Sequence, residues 1–310
     1  MICFGPIPSR RLGKSLGINN ICDKKICTYS CVYCQVGAKQ RYSIERELFY
    51  EPKQIYMEVE SHLGKLNTND MPDFLTFVAN GEPTLDKNLG ESIQLLKKFS
   101  IPIAVITNGS LLYNADVRAE LAQADWVSVK CDTANQRIWS KLNRPISKLN
   151  FNTMCSGMLS FANQYRGTLV TETMLVDEVN DHAIALERTA CQVYGLSPSI
   201  AYLSIPTRPP AVSTVKPSTP EAINEAYQIF DKRGLNTELI LGFEGTDTGY
   251  TGNAAEDILN ICAVHPIRED TMRELLVKNN SDYSVLYKLI EEDKVVELEF
   301  DSKKFYLRKH

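Results

Sequence analysis

Three cysteines within eight residues are the part of this sequence best suited to chemistry. The segment 27–34 reads CTYSCVYC, so its thiols follow the spacing C-x3-C-x2-C. Thiols crowded this closely converge on a soft metal centre, and a [4Fe–4S] cluster normally takes four cysteine ligands. A loop that supplies three leaves one iron open, and a small molecule can bind that iron through an amine and a carboxylate. The spacing therefore favours an iron–sulfur site with Cys27, Cys31 and Cys34 as ligands.

Two other interpretations of the three cysteines stay open at this point. They could form a zinc site that lacks its fourth ligand, or they could be three unrelated buried thiols. Zinc motifs usually come as paired C-x2-C halves, and no second half follows downstream. A motif of this kind is a hypothesis that its structural context must support.

The segment resembles the signature of the radical S-adenosylmethionine (radical SAM) superfamily. The resemblance is carried by the three cysteines, by Tyr33 directly before the third, and by segment 81–84 (GEPT) further along the chain. Segments 5–13 (GPIPSRRLG) and 32–35 (VYCQ) look like the branch that contains the wyosine-base synthases of transfer RNA and unassigned relatives. The likeness covers roughly residues 1–215.

The resemblance implies a cofactor set and a reaction. Members bind a [4Fe–4S] cluster and SAM, whose amine and carboxylate chelate the open iron. One electron then breaks the S–C5′ bond and releases methionine and a 5′-deoxyadenosyl radical, while the protein binds, orients and excludes water. The resemblance implies that the backbone of Gly81, Glu82 and Pro83 receives the SAM amine, since glycine permits a close approach and proline fixes the turn. It places Tyr33 near the adenine.

The composition is that of an ordinary soluble globular protein. The chain has 310 residues, of which 44% are hydrophobic and 23% charged, enough for one large domain plus a small one. Its first residues lack the pattern of a signal peptide, and no run approaches the ~20 apolar residues that span a bilayer. Nine cysteines, three of them in a ligand motif, do not suggest a secreted disulfide scaffold. We therefore expect a cytoplasmic protein with no membrane partner.

The hydrophobic pattern predicts an α/β fold, because buried runs alternate with amphipathic helices as in the βα repeat of a parallel sheet. The predicted strands are 73–79, 101–107, 126–130, 167–176 and 199–205. One more strand near the cysteines makes six, and the resemblance likewise implies a partial (β/α)6 TIM-like barrel of radical SAM type. We predict a barrel over residues 1–215, a connector and extension over 216–262, and a small winged-helix-like domain over 263–310.

Polar residues follow the predicted strands, where barrel enzymes place their sites. Asn108 could hydrogen-bond ribose or methionine, or form a turn. Lys130 could hold the SAM carboxylate, form an imine with a carbonyl substrate, or pair with Asp132. Glu172 is expected to contact ribose or substrate, and Arg208 could bind a substrate anion or be a solvated connector residue. The predicted catalytic residues are Lys130, Asp132 and Arg208, and the predicted cofactor-binding residues are Tyr33, Gly81, Glu82, Pro83, Asn108 and Glu172.

Charge is unevenly distributed, although the net charge of −4 argues against a protein coated in nucleic acid. Residues 9–46 hold eight basic and two acidic residues, a net of +6. Such a rim can steer an anionic substrate, or acidic neighbours in the fold can answer it. Residues 263–310 hold nine basic and ten acidic residues, a net of −1, which suits duplex binding poorly. Four cations nevertheless cluster on the final hairpin, Lys303, Lys304, Arg308 and Lys309.

These features predict a radical SAM enzyme, an oxidoreductase or transferase with an unidentified substrate and an electron donor such as flavodoxin or ferredoxin. A transfer RNA base is the leading substrate by analogy with the resembled branch, and a peptide or small metabolite is the alternative. A redox-sensing iron–sulfur regulator that binds DNA is the alternative from another class. Wyosine synthases carry a second cluster on three upstream cysteines. Here only Cys3 and Cys22 lie upstream, which argues against a second cluster.

Overall fold

The computed structural model describes residues 2–21, 24–37, 41–242 and 245–309. Cys22, Asp23 and Lys39 lie outside the described residues. The strands are β1 (Cys3–Ser9), β2 (Gly13–Ile18), β3 (Ile26–Cys27), β4 (Arg41–Tyr42), β5 (Phe74–Phe77), β6 (Ile103–Thr107), β7 (Trp126–Lys130), β8 (Thr168–Met174), β9 (Ile200–Ser204), β10 (Thr237–Ile240), β11 (Ile267–Arg268), β12 (Val295–Phe300) and β13 (Lys303–Arg308). The α-helices are α1 (Pro52–Leu63), α2 (Leu89–Leu96), α3 (Ala115–Leu121), α4 (Gln136–Leu142), α5 (Phe151–Gln164), α6 (Ala183–Gly195), α7 (Pro220–Lys232), α8 (Ala254–Cys262), α9 (Glu269–Lys278) and α10 (Tyr283–Glu291).

Eight strands form one curled sheet, a half-barrel, in the order β1-β2-β5-β6-β7-β8-β9-β10. All neighbours from β2 to β10 are parallel, whereas β1 pairs antiparallel with β2. The predicted α/β partial barrel is confirmed, but the sheet has two more strands than the six expected. The pattern misses β1 because Gly5, Pro6 and Pro8 interrupt it, and proline is tolerated there because β1 is an edge strand.

Strand β10 belongs to the half-barrel sheet. It lies within residues 216–262, which are predicted to form a connector and extension. In the structure β10 pairs with β9 in register, and α7 connects the two strands. The half-barrel sheet therefore ends at Ile240.

Helices cover the outer face of the sheet because each carries one apolar stripe. In α1, Ile55 and Val59 are fully buried against the sheet, while Lys53 and Glu60 on the other side are exposed. Asparagine side chains begin four of the helices by accepting hydrogen bonds from first-turn N–H groups. These N-caps are Asn114 of α3, Asn135 of α4, Asn150 of α5 and Asn253 of α8.

The inner face of the half-barrel is filled by side chains at its amino-terminal end. One residue from each of five consecutive strands joins Leu12, from the β1–β2 turn, in a single apolar cluster. These residues are Ala104, Trp126, Val170, Tyr202 and Ile240. Strand residues alternate between faces, so the residues two positions after Ala104, Val170 and Tyr202 lie on the same inner face and nearer the carboxyl ends of the strands. These residues are Ile106, Glu172 and Ser204. Apolar side chains therefore fill the amino-terminal end of the barrel, and polar side chains such as Glu172 and Ser204 lie nearer its carboxyl end.

The part of the chain from α8 to β13, here called the tail, packs against β1, the first strand of the half-barrel. Its helices α8, α9 and α10 and its sheet, in the order β11-β13-β12, enclose a core that includes Phe4 and Ile7 of β1. The backbone N–H of Gly249 also donates to the carbonyl of Pro6 at 2.6 Å. The structure has both predicted tail helices and the predicted hairpin, and the likeness to a winged helix stays a prediction. No helix in the described part of the chain is both long and apolar enough to cross a bilayer.

Candidate active site at the mouth of the half-barrel

The cysteine loop, residues 27–34, is held by backbone hydrogen bonds on two sides. On one side, the N–H of Ile26 donates to the carbonyl of Asn80 at 3.2 Å, and the N–H of Glu82 donates to the carbonyl of Ile26 at 3.1 Å. This parallel bridge attaches β3 to the carboxyl end of β5. The loop thus begins at the edge of the sheet where barrel sites lie.

The other side of the cysteine loop lies along the segment that follows α4. Val32 donates its N–H to the carbonyl of Leu142 at 2.9 Å, and Ile146 donates to the carbonyl of Thr28 at 2.9 Å. Neither α4 nor this contact is predicted from the sequence. Together the two sides leave the loop little backbone freedom.

Gly81 permits the contact between the cysteine loop and β5. Its φ is +141°, and a Cβ built on it would lie 1.7 Å from the carbonyl oxygen of Ile26. No other residue fits here, because any side chain would push the loop away and strain the backbone. In the bridge, the hydrogen bonds run from Ile26 to the residues on either side of Gly81. The N–H and carbonyl of Gly81 itself therefore face away from β3.

Each sulfur of the cysteine loop lies near nitrogen donors. Such donors orient a thiolate and stabilise its charge. The sulfur contacts are Tyr29 N at 3.4 Å and Asn108 Nδ2 at 3.6 Å for Cys27, Asn143 Nδ2 at 3.4 Å for Cys31, and Lys25 Nζ at 3.1 Å for Cys34. The donor set therefore suits metal-bound thiolates.

Two of these thiols, Cys27 and Cys31, resist ionisation without a metal. Burial, together with the nearby Cys34 and Asp132, raises the pKa of Cys31 to about 12. Burial also raises the pKa of Cys27, with Glu82 and Cys31 acting in the same direction. A cation must therefore displace these protons, as a metal does when it binds cysteine. The raised pKa values of Cys27 and Cys31 fit ligands that a metal centre deprotonates when it binds.

A zinc site and an iron–sulfur cluster differ in how their ligands are arranged. Within the described ranges, no three thiol, imidazole or carboxylate groups come close enough to hold one metal ion together. Zinc requires its ligands to meet at a single centre. In a [4Fe–4S] cube each cysteine binds a different iron, so the sulfurs need not meet at one point. Upstream, Cys3 is buried in the apolar core of the barrel.

Glu82 is committed to the protein rather than to a ligand. Its carboxylate accepts hydrogen bonds from Thr84 N at 3.1 Å, from the hydroxyls of Thr84 and Thr107 at 2.6 Å each, and from Asn108 N at 2.8 Å. Burial raises the pKa of Glu82 in spite of these donors. The backbone of segment 81–83 (GEP), rather than the Glu82 side chain, is therefore the part of this segment that can contact SAM.

Asn108 faces the cysteine loop. Its side-chain amide donates to the hydroxyl of Thr28 at 2.8 Å and lies near Cys27, while its Oδ1 accepts from Ser110 N at 2.9 Å. Asn108 therefore links the end of β6 to the loop. The bond from Ser110 N is that of an Asx turn, and a contact with ribose or methionine stays a prediction.

A buried charge network fills the barrel mouth. Lys130 Nζ lies 3.1 Å from Glu172 Oε1 and 3.7 Å from Asp132 Oδ1, and Arg11 forms an ion pair with the other oxygen of Glu172. Ser204 Oγ donates to Glu172 at 3.0 Å. Burial alone would raise the pKa of Glu172, but the Lys130 and Arg11 cations overcome it and lower the pKa to about 2.

Lys130 keeps its proton in this network. Burial acts to lower its pKa, but the carboxylates of Glu172 and Asp132 outweigh burial, and the pKa is raised. An imine-forming lysine needs the opposite shift. The ammonium also lies 5.1 Å from the centre of the Tyr33 ring, within cation–π distance. Lys130 is therefore suited to holding an anion.

Tyr33 and Asp132 connect this network to the cysteine loop. The Tyr33 hydroxyl donates to Asp132, and Asn143 Nδ2 donates to the same carboxylate at 2.7 Å. Asn143 also contacts the sulfur of Cys31. The remaining oxygen of Asp132 accepts from Met174 N at 2.9 Å. Asp132 therefore positions Tyr33 and Asn143.

Arg208 lies apart from Lys130 and Asp132, at the boundary between barrel and tail. Its guanidinium donates to Gln35 Oε1 at 3.2 Å and contacts His265 Nε2 at 3.0 Å. Burial and the Arg208 charge both lower the pKa of His265, so His265 is neutral and its Nε2 accepts. Gln35 donates in turn to the carbonyl of Val264 at 2.9 Å.

A cavity of about 300 Å³ brings these groups together. The β1–β2 turn forms one wall and the tail residues Val264 and His265 form another. Its polar lining includes Arg11, Tyr33, Cys34, Lys130, Glu172, Ser204 and Arg208. The cavity thus joins the third cysteine to the charge network.

Carboxylates pair with four of the eight basic residues in segment 9–46. The pairs are Arg11 with Glu172, Lys14 with Asp70, Arg41 with Glu47, and Arg46 with Glu120. Lys25, Arg11 and Asn143 are the functional residues that the sequence reasoning missed. In the sequence, Arg11 and Lys25 are two of the eight basic residues of segment 9–46, and nothing marks Asn143.

Comparison with known proteins gives consistent results. A family model described as the radical SAM superfamily matches residues 24–187. The UPF0026 protein MJ1312 of Methanocaldococcus jannaschii is 45% identical over 99% of this chain and 96% of its own. A radical SAM methyltransferase from Sphaerobacter thermophilus is similar in fold, with a TM-score of 0.54 and 16% identity over 73% of this chain and 66% of that one. A TYW1 structure with a lysine-pyruvate adduct matches 96% of this chain and 81% of its own at a TM-score of 0.45 and 12% identity.

Gly81→Ala tests the contact that positions the cysteine loop. The new Cβ would overlap the Ile26 carbonyl, so we expect the free energy of unfolding to fall by about 2–4 kcal/mol, measured by urea denaturation. The matched control is Gly195→Ala in α6, where an added Cβ meets no atom within 4 Å. Equal stability of the two variants would contradict the tight packing at Gly81.

Glu172→Gln tests the charge network. The depressed pKa of Glu172, about 2 against an ordinary 4.5, means that its carboxylate stabilises the fold above pH 4.5 and that this stabilisation is lost as the pH falls toward 2. We expect the variant to be less stable than the wild type by about 3 kcal/mol at pH 7, with a smaller difference at pH 3, in urea denaturation. The exposed Glu225→Gln is the control. A difference that does not change with pH would be inconsistent with an ionic role.

Proposed function

Because this chain belongs to the radical SAM superfamily and, within it, to the UPF0026 proteins, we propose that it is an enzyme that cleaves SAM reductively and abstracts hydrogen from a small substrate in the mouth of the half-barrel. The observation that carries the proposal is the shared cavity, which joins Cys34 to the Lys130–Glu172 pair. A radical generated beside the cysteine loop would therefore meet a substrate held by charged groups and shielded from solvent.

The members of this superfamily bind a [4Fe–4S] cluster and SAM. Cys27, Cys31 and Cys34 would hold the cluster, because they are thiols on one docked loop with nitrogen donors at each sulfur. When bound, the cluster supplies one electron that cleaves SAM to methionine and a 5′-deoxyadenosyl radical, and this radical takes a hydrogen atom from the substrate. The chain's own residues bind, orient and exclude water.

The SAM amine is assigned to the carbonyl of Gly81. Glu82 N and the Glu82 carboxylate are used within the protein, and the Pro83 carbonyl accepts from Asn20 Nδ2 at 3.0 Å. Gly81, by contrast, turns its N–H and carbonyl away from β3. Asn108 and Glu82 support the site by holding the cysteine loop and the end of β6 together.

The charge network supports binding of an anionic group, from SAM or from the substrate. Lys130 is protonated and can hold a carboxylate, with Glu172 and Arg11 setting its position. Asp132 holds Tyr33 against the same cavity. Arg208, on the opposite wall beside His265, is the candidate for a second anionic contact.

A small metabolite is favoured over a transfer RNA base as the substrate. The cavity volume, about 300 Å³, lies at the lower end of the range for small-molecule sites, and the tail forms part of its wall. RNA binding needs several cations available for phosphates, whereas four of the eight basic residues in segment 9–46 are paired with carboxylates. We therefore do not propose a transfer RNA base as the substrate, and the test of substrate class given below would detect one.

Regulation through DNA is likewise disfavoured by the charges of the tail. On the hairpin, Lys304 lies 3.0 Å from Glu297 and Lys309 lies 2.5 Å from Asp293. An enzyme also needs an electron source, and we include reduced flavodoxin or ferredoxin in the proposal. The eight described cysteines are all free thiols, which fits a reducing cytoplasm.

Anaerobic SAM cleavage tests the activity. The reconstituted wild-type protein with dithionite should release 5′-deoxyadenosine and methionine, and Cys31→Ala should reduce this release more than about a hundredfold because a cluster ligand is lost. Cys191→Ala, which removes an exposed thiol outside the loop, should match the wild type. Products are quantified by liquid chromatography with mass detection. No cleavage by a protein that holds four irons would refute the proposal.

Comparative mass profiles with and without the gene test the substrate class. We expect a change in a small anionic metabolite, with transfer RNA nucleosides and peptides unaltered, because the cavity volume suits a small molecule. The complementing gene should restore the profile, and the Cys31→Ala gene should not. A missing or altered nucleoside in transfer RNA would instead support the base-modifying alternative.

A further inference from the structure

Lys25 is a buried lysine directly before the cysteine loop. Its exposed fraction is 5%, so its ammonium lies almost entirely out of water. The Nζ atom donates to the sulfur of Cys34 at 3.1 Å and to the carbonyl of Gly37. In the portion of the chain that the structure describes, no carboxylate pairs with it. Burying an ammonium without a counter-charge is costly, so this arrangement favours an anion beside Lys25.

The charge network of the barrel mouth provides an internal comparison. There, Lys130 lies beside two carboxylates, Glu172 and Asp132. Lys25 has a thiol sulfur in the corresponding place. The backbone holds it there, since Arg41 N donates to the Lys25 carbonyl at 2.9 Å and Gly37 N donates to the carbonyl of Cys34 at 3.2 Å.

We propose that Lys25 is a positioning residue whose ammonium is neutralised by the iron–sulfur cluster and raises the cluster's reduction potential. Three thiolates give the oxidised cluster a net negative charge, and one electron from the external reductant adds another. A fixed cation in contact with one sulfur stabilises the more negative state, and its effect is large where water is excluded. Lys25 would thus make the one-electron reduction easier.

This inference rests on the cluster of the proposed function but not on SAM cleavage or on the substrate. Its readout is the midpoint potential from an EPR-monitored redox titration of reconstituted protein without SAM. A protein that shows the predicted potential shift but does not cleave SAM would leave this inference standing while the proposed function fails.

Lys25→Met and Lys25→Gln are the test variants. At the wild-type midpoint potential, we expect the ratio of reduced to oxidised cluster to fall about tenfold in both, which is 59 mV for one electron. Gln can still donate a hydrogen bond, so it separates charge from hydrogen bonding. Lys25→Arg should restore the ratio to within about threefold, and Lys24→Met, which removes the neighbouring exposed lysine, should match the wild type.

An unchanged potential in Lys25→Met with four irons bound would overturn the proposal, as would wild-type behaviour of Lys25→Gln. Should neither neutral variant take up a cluster, thermal unfolding of the metal-free proteins decides. Loss of an uncompensated buried ammonium should leave the neutral variants at least as stable as the metal-free wild type. A lower unfolding temperature for both would show a purely structural lysine and overturn the proposal.

Discussion

The backbone of Ile26 lies directly against the backbone of Gly81, and the position of all three thiols depends on this contact. The parallel bridge between them ties a two-residue strand to the carboxyl end of a barrel strand. It works because Gly81 has no side chain and adopts a positive φ. Glu82 then reinforces the same point by accepting hydrogen bonds from β6 and from its own turn. The segment read as a ligand motif is therefore also the structural support of the cysteine loop.

The electrostatics of the site follow from how the β1–β2 turn folds. This turn enters the half-barrel, where Leu12 joins the apolar layer and Arg11 reaches Glu172. Without Arg11, the lumen would hold Lys130 and two carboxylates, and Glu172 would lose one of the cations that lower its pKa. The turn thus fills the amino-terminal end of the barrel with Leu12 and pairs the Glu172 carboxylate with Arg11. In the fold, four basic residues of segment 9–46, which are Arg11, Lys14, Arg41 and Arg46, form ion pairs with carboxylates.

Lys25 and Lys130 illustrate two uses of a buried cation. Lys130 is neutralised by protein carboxylates and is available at the cavity for an anionic group. Lys25 faces a sulfur, and its environment is complete only if that sulfur carries charge. The first arrangement belongs to the proposed binding site, and the second to the proposed redox role of Lys25. The two sites meet at Cys34, which lines the cavity and contacts Lys25.

The sequence alone determined the cysteine loop, the GEP segment, the βα alternation of the barrel and the tail hairpin. These features are local: a ligand spacing, a turn or a hydrophobic period lies within a few residues, so the residue types reveal it. The sequence did not reveal β1, the membership of β10 in the sheet, α4, or the contacts of Arg11, Lys25 and Asn143. Arg11 and Glu172 are 161 positions apart, and Asn143 and Cys31 are 112 apart. Only the curvature of the sheet brings such residues together, because their pairing depends on strand order and burial, which no local pattern encodes.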